Sequence, residues 1–130
     1  MTPYLIGRII TIEGGLANRT FIQSEEFSKK WDALGFNDDD LRMLERDIGE
    51  NPKKYPVIRG TGRLRKGRIS FHNRGKRGSA RFCYADFEFA GTIFLVTIFA
   101  KNEKSNLSMR ERKDIKNYLL MIEKDLEEKR

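Results

Sequence analysis

Five segments of the chain have the alternating or continuously apolar pattern that is typical of β-strands. They are residues 5–12, 19–23, 64–71, 80–87 and 92–100. Gly14 and Gly15 lie between the first two segments, a spacing consistent with a hairpin, and Gly91 lies in the turn before the last. Residues 92–99 are nearly all β-branched or aromatic, which predicts a central strand buried on both faces.

Two helices are predicted between the hairpin and the later strands. Ser24 is followed by two glutamates, which is a favourable helix start, and Gly35 supplies the stop. The second helix begins near Asn37 or Asp38. It ends before Pro52, because the residue that precedes a proline avoids the helical conformation.

A third helix is predicted at the C-terminal end of the chain. Ser108 and Glu111 form the S-x-x-E pattern of a capping box at its start. Its apolar stripe consists of Ile115, Leu119, Ile122 and Leu126. The predicted order β-α-α-β-β-β-α indicates one α+β domain over residues 1–130, with two N-terminal helices and a C-terminal helix packed on a mostly antiparallel sheet.

The charges are unevenly distributed over this pattern. Residues 51–81 carry eleven lysines and arginines and no aspartate or glutamate, in a chain whose formal net charge is +7. A patch of one sign repels itself and destabilises the compact state unless a polyanion neutralises it. Since the same stretch contains apolar residues at strand-like intervals, we expect nucleic acid to bind on a sheet.

The remaining composition gives no indication of a metal, a cofactor or a membrane. Cys83 is the one cysteine, so neither a disulfide framework nor a metal cluster is expected, and a buried strand position is predicted for it. Asp38, Asp39 and Asp40 lack the rest of a calcium loop. The apolar run at residues 4–12 is shorter than the about 20 residues of a membrane helix. We therefore expect a cytoplasmic protein.

His72 is the one histidine of the chain, which excludes an acid–base ribonuclease of the two-histidine type. It follows the first strand of the basic stretch, where a turn is predicted. A single histidine could still assist as an acid or a base.

The first strand of the basic stretch carries cations on both of its faces. Alternation places Lys66 and Arg68 on one side, and Arg65 on the other with Ile69 and Phe71. A merely solvated cationic surface is the alternative for any one of these residues. It explains the cluster less well, because like charges opposed across strands are destabilising.

The loop at residues 73–79 places Arg74, Lys76 and Arg77 between glycines. That spacing allows backbone amides to approach a phosphate, although a soluble turn would have a similar composition. The loop lacks the G-x-x-x-x-G-K-[ST] pattern of a nucleotide-binding loop.

Two further positions offer polar groups near the predicted sheet. Arg81 and Tyr84 lie on opposite faces of the next strand by strict alternation. Tyr84 could stack on a base, or it could pack in the core with its hydroxyl hydrogen-bonded. Lys101 and Asn102 follow the end of the buried strand, where functional groups often lie, although an ordinary solvated strand end is equally consistent.

Four separated motifs together resemble one family, the RelE/HigB toxins of bacterial type II toxin–antitoxin pairs. They are Gly60-Thr61-Gly62-Arg63-Leu64-Arg65-Lys66, Gly75-Lys76-Arg77-Gly78, Arg81 with Tyr84, and Lys101-Asn102-Glu103 with Leu107-Ser108. The likeness covers residues 20–126, and residues 1–19, a possible extra hairpin, lie outside it. It implies a RelE-like α+β ribonuclease that cuts mRNA on the ribosome and is inhibited by a cognate antitoxin, a helix-turn-helix protein that also binds DNA.

The resemblance also implies roles for individual residues. Its catalytic set would be Arg65, Lys66, Arg68, Lys76, Arg81 and Tyr84. Further contacts to RNA would come from Arg63, Arg74, Arg77, Lys101 and Asn102. The chain departs from the family pattern at Arg63, where a glycine is usual, and at Ser79, which replaces the second glycine of a pair.

The residue types suit cleavage by the 2′-hydroxyl of the RNA itself. Arginine stabilises phosphorane charge but is a poor base, because it stays protonated. A lysine can exchange a proton where neighbouring cations disfavour its charged form, so we expect Lys66 or Lys76 to do so. Two alternatives share the same charge pattern: a ParE-like toxin that poisons DNA gyrase, and a non-catalytic module that binds RNA or ribosomes.

Overall fold

The computed structural model describes residues 10–12, 19–70, 79–104 and 106–129. Within these ranges the chain has the predicted α+β architecture. The strands are β1 (Ile10–Ile12), β2 (Arg19–Gln23), β3 (Leu64–Ser70), β4 (Ser79–Phe87) and β5 (Thr92–Ala100). The helices are α1 (Glu25–Ala33), α2 (Asp38–Glu50) and α3 (Met109–Glu128). None of the helices in the described ranges has the length and apolar character that crossing a bilayer requires.

The strands form one mixed sheet in the order β1-β2-β5-β4-β3. β2 and β5 are parallel, and the other neighbours are antiparallel. β1 pairs with β2, as the predicted hairpin requires, whereas residues 5–9 lie outside the described residues. Ser79, assigned to a loop from the sequence, is instead the first residue of β4 and pairs with Ser70.

The helix starts form as the sequence predicts, through hydrogen bonds from local side chains. Ser24 Oγ accepts from the Phe27 amide at 2.8 Å and donates to the Val96 carbonyl at 2.7 Å, which also ties α1 to β5. Asn37 and Asp40 form a capping box at the start of α2. Ser108 and Glu111 form another at the start of α3.

The sheet separates two apolar clusters. One contains side chains of α1 and α2, among them Phe27, Trp31 and Leu44, packed with Phe82 and Tyr84 of β4. The other contains side chains of α3 and the opposite face of the sheet: Leu64, Cys83, Ala85, Phe87, Phe94, Val96, Phe99, Ile115, Tyr118 and Leu119. Every residue of β5 from 92 to 99 is buried, which confirms the prediction of a central strand.

A β-bulge interrupts the pairing of β4 with β5. Cys83 pairs with Thr97 and Tyr84 pairs with Leu95, so Val96 is the extra residue. Because the bulge lies on β5, the alternation along β4 is undisturbed: Phe82 and Tyr84 belong to one cluster and Cys83 to the other. The pairing of β3 with β4, which has no bulge, then determines which cations lie on the same face of the sheet.

Candidate nucleic-acid interface

The register of β3 against β4 brings three predicted site residues together. Arg68 lies directly opposite Arg81, and Lys66 lies opposite Cys83, two residues along each strand. All three cations are on the face of the sheet that packs against α3, since they alternate in phase with Leu64 and Cys83. We call Lys66, Arg68 and Arg81 the basic face.

These cations have no carboxylate partner among the described residues, unlike Arg19 and Lys54, which pair with Asp86 and Asp47. Arg68 is exposed. Arg81 is half-buried, and its Nε is shielded from solvent without an acceptor in the described part of the chain. Two opposed guanidinium groups repel each other, so an anion bound between them would be stabilising.

Lys66 is the member of the basic face with an identified partner. Its Nζ donates to Asn106 Oδ1 at 2.6 Å, across a separation of 40 residues in sequence. Asn106 belongs to the connection between β5 and α3, which Leu107 anchors in the core at 5% exposure. The amide of Asn106 therefore orients the ammonium group of Lys66 above the sheet.

Lys104 adds a further cation beside this face. Its Nζ lies 5.1 Å from the centroid of Phe99, the residue that pairs with Arg81 on β5, and 2.6 Å from Glu111 Oε2. Neither Lys104 nor Asn106 is among the site residues that the sequence predicts. The two residues lie close in sequence to Leu107, Ser108 and Glu111 at the start of α3, which is the one sequence feature that points to them. Their position beside β3 depends on how the connection between β5 and α3 folds.

Cys83 forms part of the apolar floor beneath Lys66. Burial raises the pKa of its thiol to about 12, although Lys66 and Lys104 act in the opposite direction. The thiol therefore stays protonated near neutral pH and is not a nucleophile. This agrees with the predicted role as a buried strand residue.

Arg65, predicted to be catalytic, is on the opposite face of the sheet. It follows the alternation of Ile69, and its guanidinium donates to the carbonyls of Lys53 at 3.2 Å and Tyr55 at 2.6 Å. Arg65 therefore fastens the segment between α2 and β3 to the sheet. A catalytic role does not fit this placement, because the side chain of Arg65 and the side chains of the basic face lie on opposite sides of the sheet.

We expect the Arg65→Met substitution to lower the free energy of unfolding by about 1–2 kcal/mol, since two carbonyls lose a charged donor. Affinity for RNA at temperatures where both proteins are folded should stay unchanged. Urea unfolding and fluorescence anisotropy with a labelled oligonucleotide measure the two effects. A large loss of RNA affinity without a loss of stability would show that Arg65 contacts RNA.

Tyr84 is in the core, and the prediction that it stacks on a base is wrong for this structure. The residue is 0% exposed, and its ring stacks on Phe82 with 6.1 Å between centroids. The hydroxyl donates to the Pro52 carbonyl at 2.7 Å, and burial raises the pKa of the phenol above its ordinary value. The alternative of core packing with a hydrogen-bonded hydroxyl is therefore the one observed.

Arg63 is engaged in intramolecular contacts at the other end of β3. It pairs with Glu123 of α3, and its guanidinium lies 4.6 Å from the centroid of Phe87. It also donates to the Asp86 carbonyl at 3.3 Å. An RNA contact would require Arg63 to leave these partners, so the predicted role does not fit its position.

Lys101 and Asn102 are exposed in the turn that follows β5. The amide of Lys101 donates to the Ser79 carbonyl at 2.9 Å, which holds this turn beside the start of β4 and two residues from Arg81. Both residues can therefore extend the basic face. Lys76, Arg74, Arg77 and His72 lie outside the described residues.

Glu111 links the start of α3 to Lys104. Hydrogen bonds from Lys104 and from the Ser108 amide hold the pKa of this carboxyl below its ordinary value. A carboxyl whose pKa is lower in the folded protein than in the unfolded chain stabilises the fold at pH values above its unfolded-state pKa. This stabilisation is lost as the pH falls through the lower pKa of the folded state.

The wild-type protein should therefore lose more stability on acidification than the Glu111→Gln variant. Thermal unfolding followed from neutral pH to about pH 3 measures the difference. Glu127→Gln, an exposed change on the same helix, should keep the wild-type pH dependence. Parallel curves for wild type and Glu111→Gln would mean that the Lys104 interaction does not couple to folding.

No family model matches the chain. Within the described residues, no group of three or more histidine, cysteine, aspartate or glutamate side chains is arranged to hold a metal ion. The described face can bind phosphates and stabilise negative charge.

Proposed function

We propose that this protein is a ribosome-dependent mRNA endonuclease, the toxin of a RelE/HigB-like toxin–antitoxin pair. One observation carries the proposal: Lys66, Arg68 and Arg81 gather on one face of a rigid sheet without carboxylate partners in the described chain. A RelE-like form of the α+β fold is part of the proposal. It rests on the four sequence motifs, and the order of the described elements is compatible with it.

The chemistry assigned to the basic face is intramolecular cleavage of RNA. The 2′-oxygen attacks the adjacent phosphorus, its proton passes to a base, and the 5′-oxygen leaves with a proton from an acid. Arg68 and Arg81 face each other at the position where they can stabilise the charge of the phosphorane. Lys66, oriented by Asn106, is the described residue that can exchange a proton, and Lys76 is the second candidate.

The openness of the basic face supports a requirement for the ribosome. Arg68 is exposed, and the face has no strong base among its described members. Full preorganisation of reactants lowers a barrier by about 7–11 kcal/mol, and an open face can supply little of this alone. A ribosome that holds the mRNA in line would supply part of it.

The same face is where an inhibitor must bind. An antitoxin that covers Lys66, Arg68 and Arg81 would need acidic or hydrogen-bonding groups to compensate the desolvated charge. A cytoplasmic location follows from the proposed ribosomal target.

The test is expression of the protein in growing bacteria with mapping of mRNA ends on ribosomes. Wild type should arrest growth and produce new 5′ ends within translated codons, whereas Lys66→Ala and Lys76→Ala should do neither. Lys124→Ala removes the same charge from an exposed position of α3 and should behave like wild type. Wild-type expression without growth arrest or mRNA cuts would contradict the proposal.

A non-catalytic RNA-binding module is the second candidate, favoured by the placement of Arg65 and Tyr84 away from the basic face. It predicts binding whose affinity falls steeply with salt, and intact RNA at any protein concentration. A ParE-like toxin would instead damage DNA and stay toxic when Lys66 is replaced.

A further inference from the structure

A groove lies beside the basic face, between α1 and α3, with β5 as its floor. Its volume is about 120 Å³. Glu26 and Lys30 contribute from α1, Thr97 from β5, and Lys104, Glu111 and Asp114 from the start of α3 and the loop before it. We call it the Thr97 groove.

Thr97 contributes a hydroxyl to the floor of the groove. The residue is 3% exposed, and its hydroxyl, which forms no side-chain hydrogen bond within the described residues, is not sealed from solvent but faces the groove. The β-bulge at Val96 is what brings Thr97 to the α3 side of the sheet. A hydroxyl in this position is available to a ligand in the groove.

The groove and the basic face are neighbours in the register of the sheet. Thr97 pairs with Cys83, which pairs with Lys66, so the three residues form one row across three strands. Arg81 and Thr97 are diagonal neighbours on adjacent strands, with backbones about 7–8 Å apart. The phosphate and the base of a single nucleotide can bridge such a separation.

The walls of the groove determine what it can recognise. Its carboxylates are hydrogen-bond acceptors, and Asp114 among them is exposed and has no ion-pair partner in the described chain. Glu26 and Glu111 are partly neutralised by Lys30 at 3.7 Å and Lys104 at 2.6 Å. Leu107 and Ile115 add apolar surface, against which a planar ring can pack. Acceptors beside an apolar wall suit a ring with an amino group.

We propose that the Thr97 groove binds the base of the nucleotide whose phosphate lies on the basic face, and that it selects bases with an exocyclic amine. Asp114 accepts a hydrogen bond from the amine, and the Thr97 hydroxyl bonds a second polar atom of the ring. Adenine, cytosine and guanine carry such an amine with two N–H donors, whereas uracil offers a single ring N–H between two carbonyl oxygens and so meets fewer of the acceptors in the groove. The inference rests on the proposed function, because the basic face must hold RNA.

The test is binding of labelled RNA hexamers of adenosine, cytidine or uridine to the whole protein at low salt. Wild type should bind the adenosine and cytidine hexamers about tenfold more tightly than the uridine hexamer, the expected effect of one charge-assisted hydrogen bond. Thr97→Val, which keeps the shape and removes the hydroxyl, and Asp114→Ala should each reduce this preference. Asp125→Ala, the same charge change farther along α3, should retain it. Thermal unfolding verifies that each variant is folded.

The outcomes separate this inference from the proposed function. Equal binding of the three hexamers, together with cleavage on ribosomes, overturns the base selection and leaves the nuclease intact. Absence of any RNA binding overturns both. If Thr97→Val and Asp114→Ala keep the preference but lose affinity for ribosomes, the groove takes a basic protein side chain and the base-binding proposal fails.

Discussion

Arg81→Ala is expected to reduce RNA cleavage by about 10²–10³-fold, the usual cost of removing one group that stabilises transition-state charge. Arg81 is the guanidinium of the basic face whose Nε is already desolvated without an acceptor in the described chain, so it is prepared to bind an anion. Cleavage rates on programmed ribosomes measure the effect. Affinity for RNA should fall much less, with the salt dependence of binding reduced by about one phosphate contact.

The same substitution should leave stability unchanged or raise it slightly. Arg81 lies directly opposite Arg68, and removing one of two like charges relieves their repulsion. Arg46→Ala, an exposed arginine of α2 on the other side of the molecule, is the matched control and should keep full activity. An Arg81→Ala protein that cleaves at the wild-type rate would remove Arg81 from the site. One that unfolds much earlier would show that its role is structural.

Gly67→Ala is expected to destabilise the protein by about 1–3 kcal/mol, as overpacking of a well-packed core does. A methyl group at this position would lie 2.3 Å from Cζ of Phe82 and 2.8 Å from its two Cε atoms. The ring of Phe82 cannot withdraw easily, because it stacks on Tyr84 and packs edge-to-face with Tyr55, with 5.2 Å between the ring centroids. Urea unfolding measures the loss.

A double-mutant cycle with Phe82→Leu identifies the cause. If the clash with the ring is responsible, Gly67→Ala should cost less in the Phe82→Leu background, with a coupling of about 1 kcal/mol or more. Ser70→Ala, on the same strand, should change stability little. Additive effects of the two substitutions would mean that glycine is needed for another reason. Since Gly67 separates Lys66 from Arg68, the strained variant should also lose RNA affinity.

The secondary structure follows closely from local sequence. Helix ends depend on contacts within a few residues, so they can be predicted from the sequence alone. Examples are the caps at Ser24 and Ser108 and the stop at Gly35. The strand ends were less certain: Ser79 belongs to β4 because it pairs with Ser70, a partner nine residues away that local propensity does not specify.

The candidate site was only partly predictable. Period-two alternation placed Lys66 and Arg68 on one face and Arg65 on the other, and the described strands agree. The structural role of Arg65 could not be predicted from the charge pattern, because its partners are backbone carbonyls of Lys53 and Tyr55 and not charged side chains. Asn106 was missed because its contact with Lys66 spans 40 residues.

The sequence by itself determined the elements, the alternation of faces and the acid-free basic stretch, because each depends on neighbouring residues. The tertiary structure decided the register of β3 on β4, the bulge that turns Thr97 toward α3, and the burial of Tyr84. These depend on packing between distant segments, where one residue of shift exchanges the two faces of a strand. The gathering of Lys66, Arg68 and Arg81 is a consequence of that register.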